Sequence, residues 1–239
     1  MKRRLDQLLA DKQLVSSRSQ AESYIKLGEV KVNGRVVTKP GFMVDAAADI
    51  ELTAADRYVS RAGLKLASVA ERFKLDFNGK TVLDVGSSTG GFTDYALQHG
   101  ATKVIAVELG TDQLHPQLQG DLRIELHEQT DIRDIHALSA EPDLVLMDLS
   151  FISLREILPH LKGLCTPRTL IAAMVKPQFE AEQAGHKHKG VIKNDTVRRG
   201  ILKDFETWAK GRLVILDKAD SAVPGAKGNR ERFYLLRKA

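Results

Sequence analysis

The stretch Asp84-Val85-Gly86-Ser87-Ser88-Thr89-Gly90-Gly91-Phe92 joins the end of an apolar run to the start of a helical one. Glycines at such a junction let the backbone approach a ligand and turn at once into a helix. A dinucleotide fingerprint spaces its glycines G-x-G-x-x-G. This turn reads Gly86-x-x-x-Gly90-Gly91, which argues against a nicotinamide cofactor. A carboxylate, Glu108, closes the next apolar run (Val104-Ile105-Ala106-Val107), 24 residues after Asp84. From there it can accept both hydroxyls of an adenosine ribose. Four further groups hold comparable places. Lys65 lies on a helical stretch that leads into the glycine-turn strand, within Ser60-Arg61-Ala62-Gly63-Leu64-Lys65-Leu66. Asp148 follows Leu144-Val145-Leu146-Met147, Lys176 follows Ala172-Ala173-Met174-Val175, and Glu231 opens the last apolar run after Gly228-Asn229-Arg230. A lysine closing an apolar strand can act as a base, because burial and neighbouring cations favour its neutral form.

These groups can meet only if the elements that carry them converge. Apolar runs near 81–85, 103–107, 122–127, 143–148, 170–175, 212–216 and 231–236 predict strands. Periodic stretches near 92–98, 152–161 and 195–209 predict helices, and Leu66, Val69, Ala70 and Phe73 mark one more. This alternation predicts an α/β fold, a doubly wound and mostly parallel seven-stranded sheet covered on both faces. Strand ends in such a sheet converge on one edge, and ligands bind there beside a switch point.

The chain ahead of Arg57 has a different pattern. Leu5, Leu8 and Leu9 recur at helical spacing, and Ser17 with Gln20 reads as a capping box opening a second helix with a stripe of Ala21, Tyr24 and Ile25. Gly28 is its expected stop. Val30-Lys31-Val32-Asn33-Gly34-Arg35-Val36-Val37 is a hairpin signature, since Asn-Gly tolerates the positive φ of a type I′ turn. A further extended stretch lies near 48–52. Residues 1–56 are therefore expected to form a small α+β domain ahead of a larger one over 57–239, with Thr53-Ala54-Ala55-Asp56 as linker. Residues 1–40 hold nine Lys or Arg against four acids, while the other 199 residues hold 27 of each. The whole net charge of +5 thus sits in the front module, which suits a polyanionic partner.

At 43% hydrophobic over 239 residues the chain is too apolar for a disordered class. A single cysteine excludes a disulfide framework and any multi-cysteine zinc or iron–sulfur site, and fits a reducing cytoplasm. Cys165 has no base motif beside it and reads as a small core or loop residue. No run of eighteen apolar residues exists to span a membrane, and Asp6, Asp11 and Lys12 interrupt any signal-peptide stretch. His186-Lys187-His188 lies in a polar run that reads as a solvated loop rather than a metal site. With Lys189, Lys193, Arg198 and Arg199 it could instead form a flap over a polyanion.

The Asp-x-Gly turn with a second-strand acid resembles class I S-adenosylmethionine-dependent methyltransferases. That resemblance implies cofactor contacts from Asp84, Gly86, Ser87, Gly90, Gly91, Phe92 and Glu108. It also puts Asp131 near the adenine, where a helix-capping role is the alternative. The front segments Arg4-Leu5-Asp6, Ser17-Arg18-Ser19 and Gly28 to Gly34 resemble the S-four-like RNA-binding domain, which implies phosphate contacts from Arg4, Arg18, Lys26, Lys31 and Arg35. Ser-Arg-Ala-Gly-Leu-Lys-Leu, Met-Asp-Leu-Ser-Phe-Ile-Ser, Val-Lys-Pro-Gln-Phe-Glu and Gly-Asn-Arg-Glu resemble FtsJ-type RNA ribose methyltransferases, and the two modules together resemble the TlyA, or hemolysin A-like, family. The resemblance implies a catalytic tetrad of Lys65, Asp148, Lys176 and Glu231, with Lys176 taking the proton of a ribose 2′-hydroxyl and no metal. It further implies ribosomal RNA or ribosomal subunits as partner and cytidine as target. No membrane or stable protein partner is evident. A membrane-active hemolysin would need an apolar or strongly amphipathic segment that the chain lacks. An RNA-binding sensor of S-adenosylmethionine would not need the tetrad. A base methyltransferase would carry Asn/Asp-Pro-Pro-aromatic or a catalytic cysteine, whereas Leu-Ser-Phe follows Asp148.

Overall fold

The computed structural model describes residues 2–15, 18–26, 28–52, 58–185, 190–225 and 227–239. The cap predicted at Ser17, the linker 53–56 and the His186–Lys189 stretch lie outside the described residues. The front module runs β1 (Lys2–Arg4), α1 (Leu5–Asp11), α2 (Arg18–Lys26), β2 (Val30–Val32), β3 (Arg35–Val36), β4 (Met43–Asp45) and β5 (Ile50–Leu52). Asn33 and Gly34 carry φ of 50° and 75°, as a type I′ turn requires, and β3, β2 and β5 form an antiparallel sheet. β1 pairs antiparallel with β4, an element that its charged, three-residue sequence does not announce. Leu5, Leu9, Tyr24, Ile25 and Val30 are buried at the module's centre, each contributing about 1.5–3 kcal/mol where fully removed from water.

The larger module follows with α3 (Arg61–Phe73), β6 (Thr81–Val85), α4 (Gly91–Gln98), β7 (Lys103–Val107), β8 (Ile124–His127), β9 (Leu144–Met147), α5 (Leu154–Leu164), β10 (Leu170–Val175), α6 (Pro177–Glu180), α7 (Asp195–Ala209), β11 (Leu213–Asp220) and β12 (Arg232–Lys238). Its seven strands lie in the order β11-β12-β10-β9-β6-β7-β8. β12 is antiparallel to both neighbours, and the other pairings are parallel. Successive side chains of a strand face opposite ways. Val82 and Leu146 therefore join α3 and α4 in one apolar cluster, while Leu83 and Val145 join α5 and α7 in another. Burial on both faces is why the central strands β7, β9 and β10 read as apolar runs.

The chain leaves β6 toward β7 and β8, then returns to lay β9 on the other side of β6. That reversal opens a crevice beyond the carboxyl ends of β6 and β9. Val85 pairs with Met147 and Val175 with Arg232. Gly86 and Asp148 therefore leave neighbouring strands side by side, and so do Lys176 and Glu231.

Candidate active site

The glycine turn is built by backbone shape. Gly86 and Gly90 take φ of 81° and 86°, and Ser88, between them, takes 47°. These φ values strain any L side chain at Gly86 or Gly90, and a Cβ there would also push on Leu149 Cδ2 at 2.9 Å or Leu118 Cδ1 at 2.5 Å. Glu108 accepts from Ser88 N at 2.9 Å and from Gly110 N at 2.7 Å, which fixes its carboxylate at the mouth of the turn. Gly86, Ser88, Glu108, Asp131, Asp148 and Phe151 line a cleft of ≈ 620 Å³, within the range of about 300–1,000 Å³ typical of small-molecule sites. Of the two roles considered for Asp131, the structure shows the cap. Asp131 closes the start of the short turn Ile132–Asp134 by accepting from Arg133 N at 2.9 Å, and it also borders the cleft.

Behind the turn a smaller cavity of ≈ 140 Å³ is bordered by Asp84, Ser87, Phe92, Asp148 and Lys176. Asp84 is fully buried and accepts from Thr93 Oγ1 at 2.7 Å, but its Oδ1 and the Ser87 hydroxyl have no partner among the described residues. Burial pushes the Asp84 carboxyl up to about 7 against the Thr93 hydrogen bond, and the charges of Asp148 and Glu108 push the same way. Two buried polar atoms without partners beside a glycine cradle fit a ligand with a cationic end. S-adenosylmethionine has that form. Glu108 and Asp131 would then hold its nucleoside, and the Asp84–Ser87 corner its amino-acid end.

The four strand-end and helix groups form two buried ion pairs. Lys65 Nζ lies 2.6 Å from Glu231 Oε2, and Lys176 Nζ lies 2.6 Å from Asp148 Oδ1. Lys176 also donates to Ser150 Oγ at 2.7 Å. Both lysines keep only 8% of their surface, which rules out the simple role of solvated helix charge for Lys65. Pairs this buried cost several kcal/mol of desolvation per ion before attraction offsets it, so stability alone is a weak reason to keep them.

A scan of the chain against known family models matches FtsJ-like methyltransferase over residues 58–238 and S4 domain over residues 3–50. A 16S/23S rRNA (cytidine-2'-O)-methyltransferase TlyA from Mycobacterium tuberculosis is 35% identical over 98% of this chain and 89% of its own. Hemolysin A from Brachyspira hyodysenteriae is 35% identical over 95% and 97%. The chain belongs to the TlyA family of FtsJ-like methyltransferases. A solved structure from Streptococcus thermophilus, named for hemolysin, superposes with a TM-score of 0.73 at 34% identity, covering all of this chain and 89% of that one. The TlyA-family chain is thus a class I S-adenosylmethionine-dependent methyltransferase with an S4-like front module. Among the described residues no helix is long and apolar enough to cross a membrane.

Several groups in this TlyA-family site carry no sequence signal of their own. Ser150 and Phe151 sit inside a recognisable motif, but nothing in it shows that Phe151 adopts φ 68° and stands 90% exposed over the cleft, its ring 5.2 Å from that of Phe179. Arg61 donates from Nη2 to Pro224 O at 2.5 Å, tying the first turn of α3 to the loop that delivers Glu231. Burial pulls its guanidinium below the usual arginine range against the attraction of Glu231.

In the S4 domain, the predicted phosphate contacts differ in what they already touch. Arg4 and Arg18 both grip the fully buried Asp6, at 2.7 and 3.0 Å, while half of each side chain remains exposed. Lys26 pairs with Glu22 at 3.9 Å and Lys31 with Glu51 at 3.3 Å, and Arg35 is exposed at the hairpin. One expectation fails. Arg198 is no part of a mobile flap: it lies buried in α7 and donates to Arg230 O at 2.9 Å and Asp220 Oδ1 at 2.7 Å. Its charge is spent on anchoring the β11–β12 connection, which charge content alone does not distinguish from a solvated loop. Cys165 is buried at the end of α5, where burial pushes its thiol up to about 11, consistent with an inert core residue.

Proposed function

We propose that the protein methylates ribose 2′-hydroxyls of ribosomal RNA, with cytidine as the target nucleoside. The observation that carries this is the pair of buried lysine–carboxylate contacts, Lys176–Asp148 and Lys65–Glu231, beside the glycine-turn cleft. S-adenosylmethionine, when bound, supplies a methyl group already activated by its positive sulfur, leaving the chain to place and deprotonate the hydroxyl. Lys176 Nζ, once it has released a proton to solvent and stands as the neutral amine, takes the hydroxyl proton, with Asp148 and Ser150 fixing its direction. Lys65, held by Glu231, orients the attacking oxygen. Phe151 offers an exposed ring at the cleft rim against which the target base can stack. The front module, residues 1–56, supplies the phosphate contacts through Arg4, Arg18, Lys26, Lys31 and Arg35. Supporting a division at 56/57 are family matches that stop at residue 50 and resume at 58. The names of relatives from Mycobacterium tuberculosis and Campylobacter jejuni support cytidine 2′-O as the substrate.

The test is to incubate the protein with methyl-labelled S-adenosylmethionine and ribosomal subunits, digest the RNA and map the label. A 2′-O-methylcytidine bears the proposal out, whereas label on a base refutes the ribose assignment.

A further inference from the structure

Lys176 and Asp148 sit on two separate loops, so something must hold those loops in register. Lys176 ends β10, and the chain turns directly into α6, where Phe179 N and Glu180 N both donate to Lys176 O, at 2.9 and 3.3 Å. Glu180 is therefore rigidly tied to Lys176 through the backbone. Its side chain crosses to the other loop. Ser153 Oγ donates to Glu180 Oε2 at 2.7 Å, and Leu154 N donates to Oε1 at 2.7 Å. Ser153 and Leu154 begin α5, at the far end of the segment that leaves β9 through Asp148, Ser150 and Phe151. Glu180 is 1% exposed and lies 26 residues from Leu154, so its carboxylate caps a helix that belongs to another part of the sheet. Burial raises its carboxyl, while Ser153, Leu154 and Arg155 oppose that shift. The Phe151–Phe179 ring contact adds a second bridge between the same two loops.

We propose that Glu180 is a positioning residue: by clamping Ser153 and Leu154 it sets where Lys176 stands relative to Asp148 and to the 2′-hydroxyl. The role rests on Lys176 being the base, and the clamp itself can be measured apart from that. A shift of about 1 Å in a catalytic group costs on the order of 10²-fold in rate. Glu180→Ala should lower kcat by about 10²-fold with KM for RNA and for S-adenosylmethionine changed less than about threefold. Glu180→Gln can still accept from Leu154 N and can donate to Ser153 Oγ, but it gives up the ion pair with Arg155 Nε at 3.3 Å, so it should recover only part of the lost rate. In ¹⁵N-lysine spectra of the full chain, the Nζ resonance of Lys176, assigned by its loss in Lys176→Arg, should move in the Ala variant and stay nearer its wild-type position in the Gln variant. Wild-type kcat and an unmoved Nζ resonance in folded Glu180→Ala would overturn the clamp, as would Gln failing as badly as Ala. A fully active Lys176→Arg would overturn the base assignment, and the spectra would still decide the clamp.

Discussion

The Lys31–Glu51 pair of the front module and the two lysine–carboxylate pairs at the sheet module's strand ends are held in opposite ways. In the front module Lys31 meets Glu51 at 3.3 Å with side chains 36% and 57% exposed, a contact that water screens. In the sheet module Lys65 meets Glu231 at 2.6 Å with 10% and 3% exposed, and Lys176 meets Asp148 at the same separation with 9% and 15%. Exposed pairs of the first kind contribute about 0–1 kcal/mol and exchange partners readily, as the proposed trade of carboxylates for phosphates would require. Buried pairs of the second kind hold two charges in fixed positions, as the proposed transfer of one proton at one place would require.

The largest effect expected from this contrast is at Lys176. Arginine there keeps the charge but stays protonated, so Lys176→Arg should lose about 10²–10⁴-fold in kcat while binding both substrates near normally. Single-turnover methylation with pre-bound RNA measures it. A loss of only a few-fold would mean that the buried pair serves charge alone.

Stability separates the modules next. Glu231→Ala strands a buried lysine and should cost about 3–5 kcal/mol in urea unfolding, whereas Glu51→Ala should cost less than about 1 kcal/mol. Equal costs would erase the distinction.

Asp84 makes the buried site pH-sensitive. Between 3.8, its ordinary value, and about 7, the folded chain keeps a proton that the unfolded chain has released. Stability therefore falls as pH rises through that window, by roughly 4 kcal/mol from this group. Asp84→Asn should flatten that decline in urea midpoints measured across the window. A parallel decline in the variant would place its origin elsewhere.

At the exposed end the effects are small and general. Arg35→Ala should weaken RNA binding about equally across sequences and reduce the salt slope of log K by about 1. An unchanged slope would remove Arg35 from the phosphate contacts.

Much of this arrangement was legible in the residues, for physical reasons that differ by element. The strands 81–85, 103–107 and 170–175 match their predicted bounds to the residue, because burial on both faces makes them almost wholly apolar, with Asp84 the one polar residue beyond their first positions. β11 extends to Asp220 instead of stopping at 216, since its later half alternates Asp217, Lys218 and Asp220 around a register shift between Ile215 and Asp217 and so lacks an apolar signature. β1 is made of Lys2, Arg3 and Arg4 and exists only through its partner β4. In the site, the tetrad could be named because its flanking motifs resemble those of FtsJ-type methyltransferases; Asp148, Lys176 and Glu231 also close or open an apolar run, whereas Lys65 lies inside α3. Glu180 and Arg61 could not, since a carboxylate that caps a helix 26 residues away leaves the same letters as a solvated one. Arg198 shows the converse error, a buried cation read as a surface one.

Where α3 meets α4, a Cβ on Gly63 would fall 2.6 Å from Tyr58 Cβ and 3.0 Å from Gly91 O, and one on Gly91 would strike Ala62 Cβ at 2.7 Å. Val59 N, just ahead of α3, donates to Asp94 Oδ2 on α4 at 2.8 Å. The helix bearing Lys65 and the helix that begins at the glycine turn are therefore one casting. For anyone redesigning this enzyme, that half behaves as a datum: the smallest addition at either glycine displaces the helix that bears Lys65 and the glycine turn together.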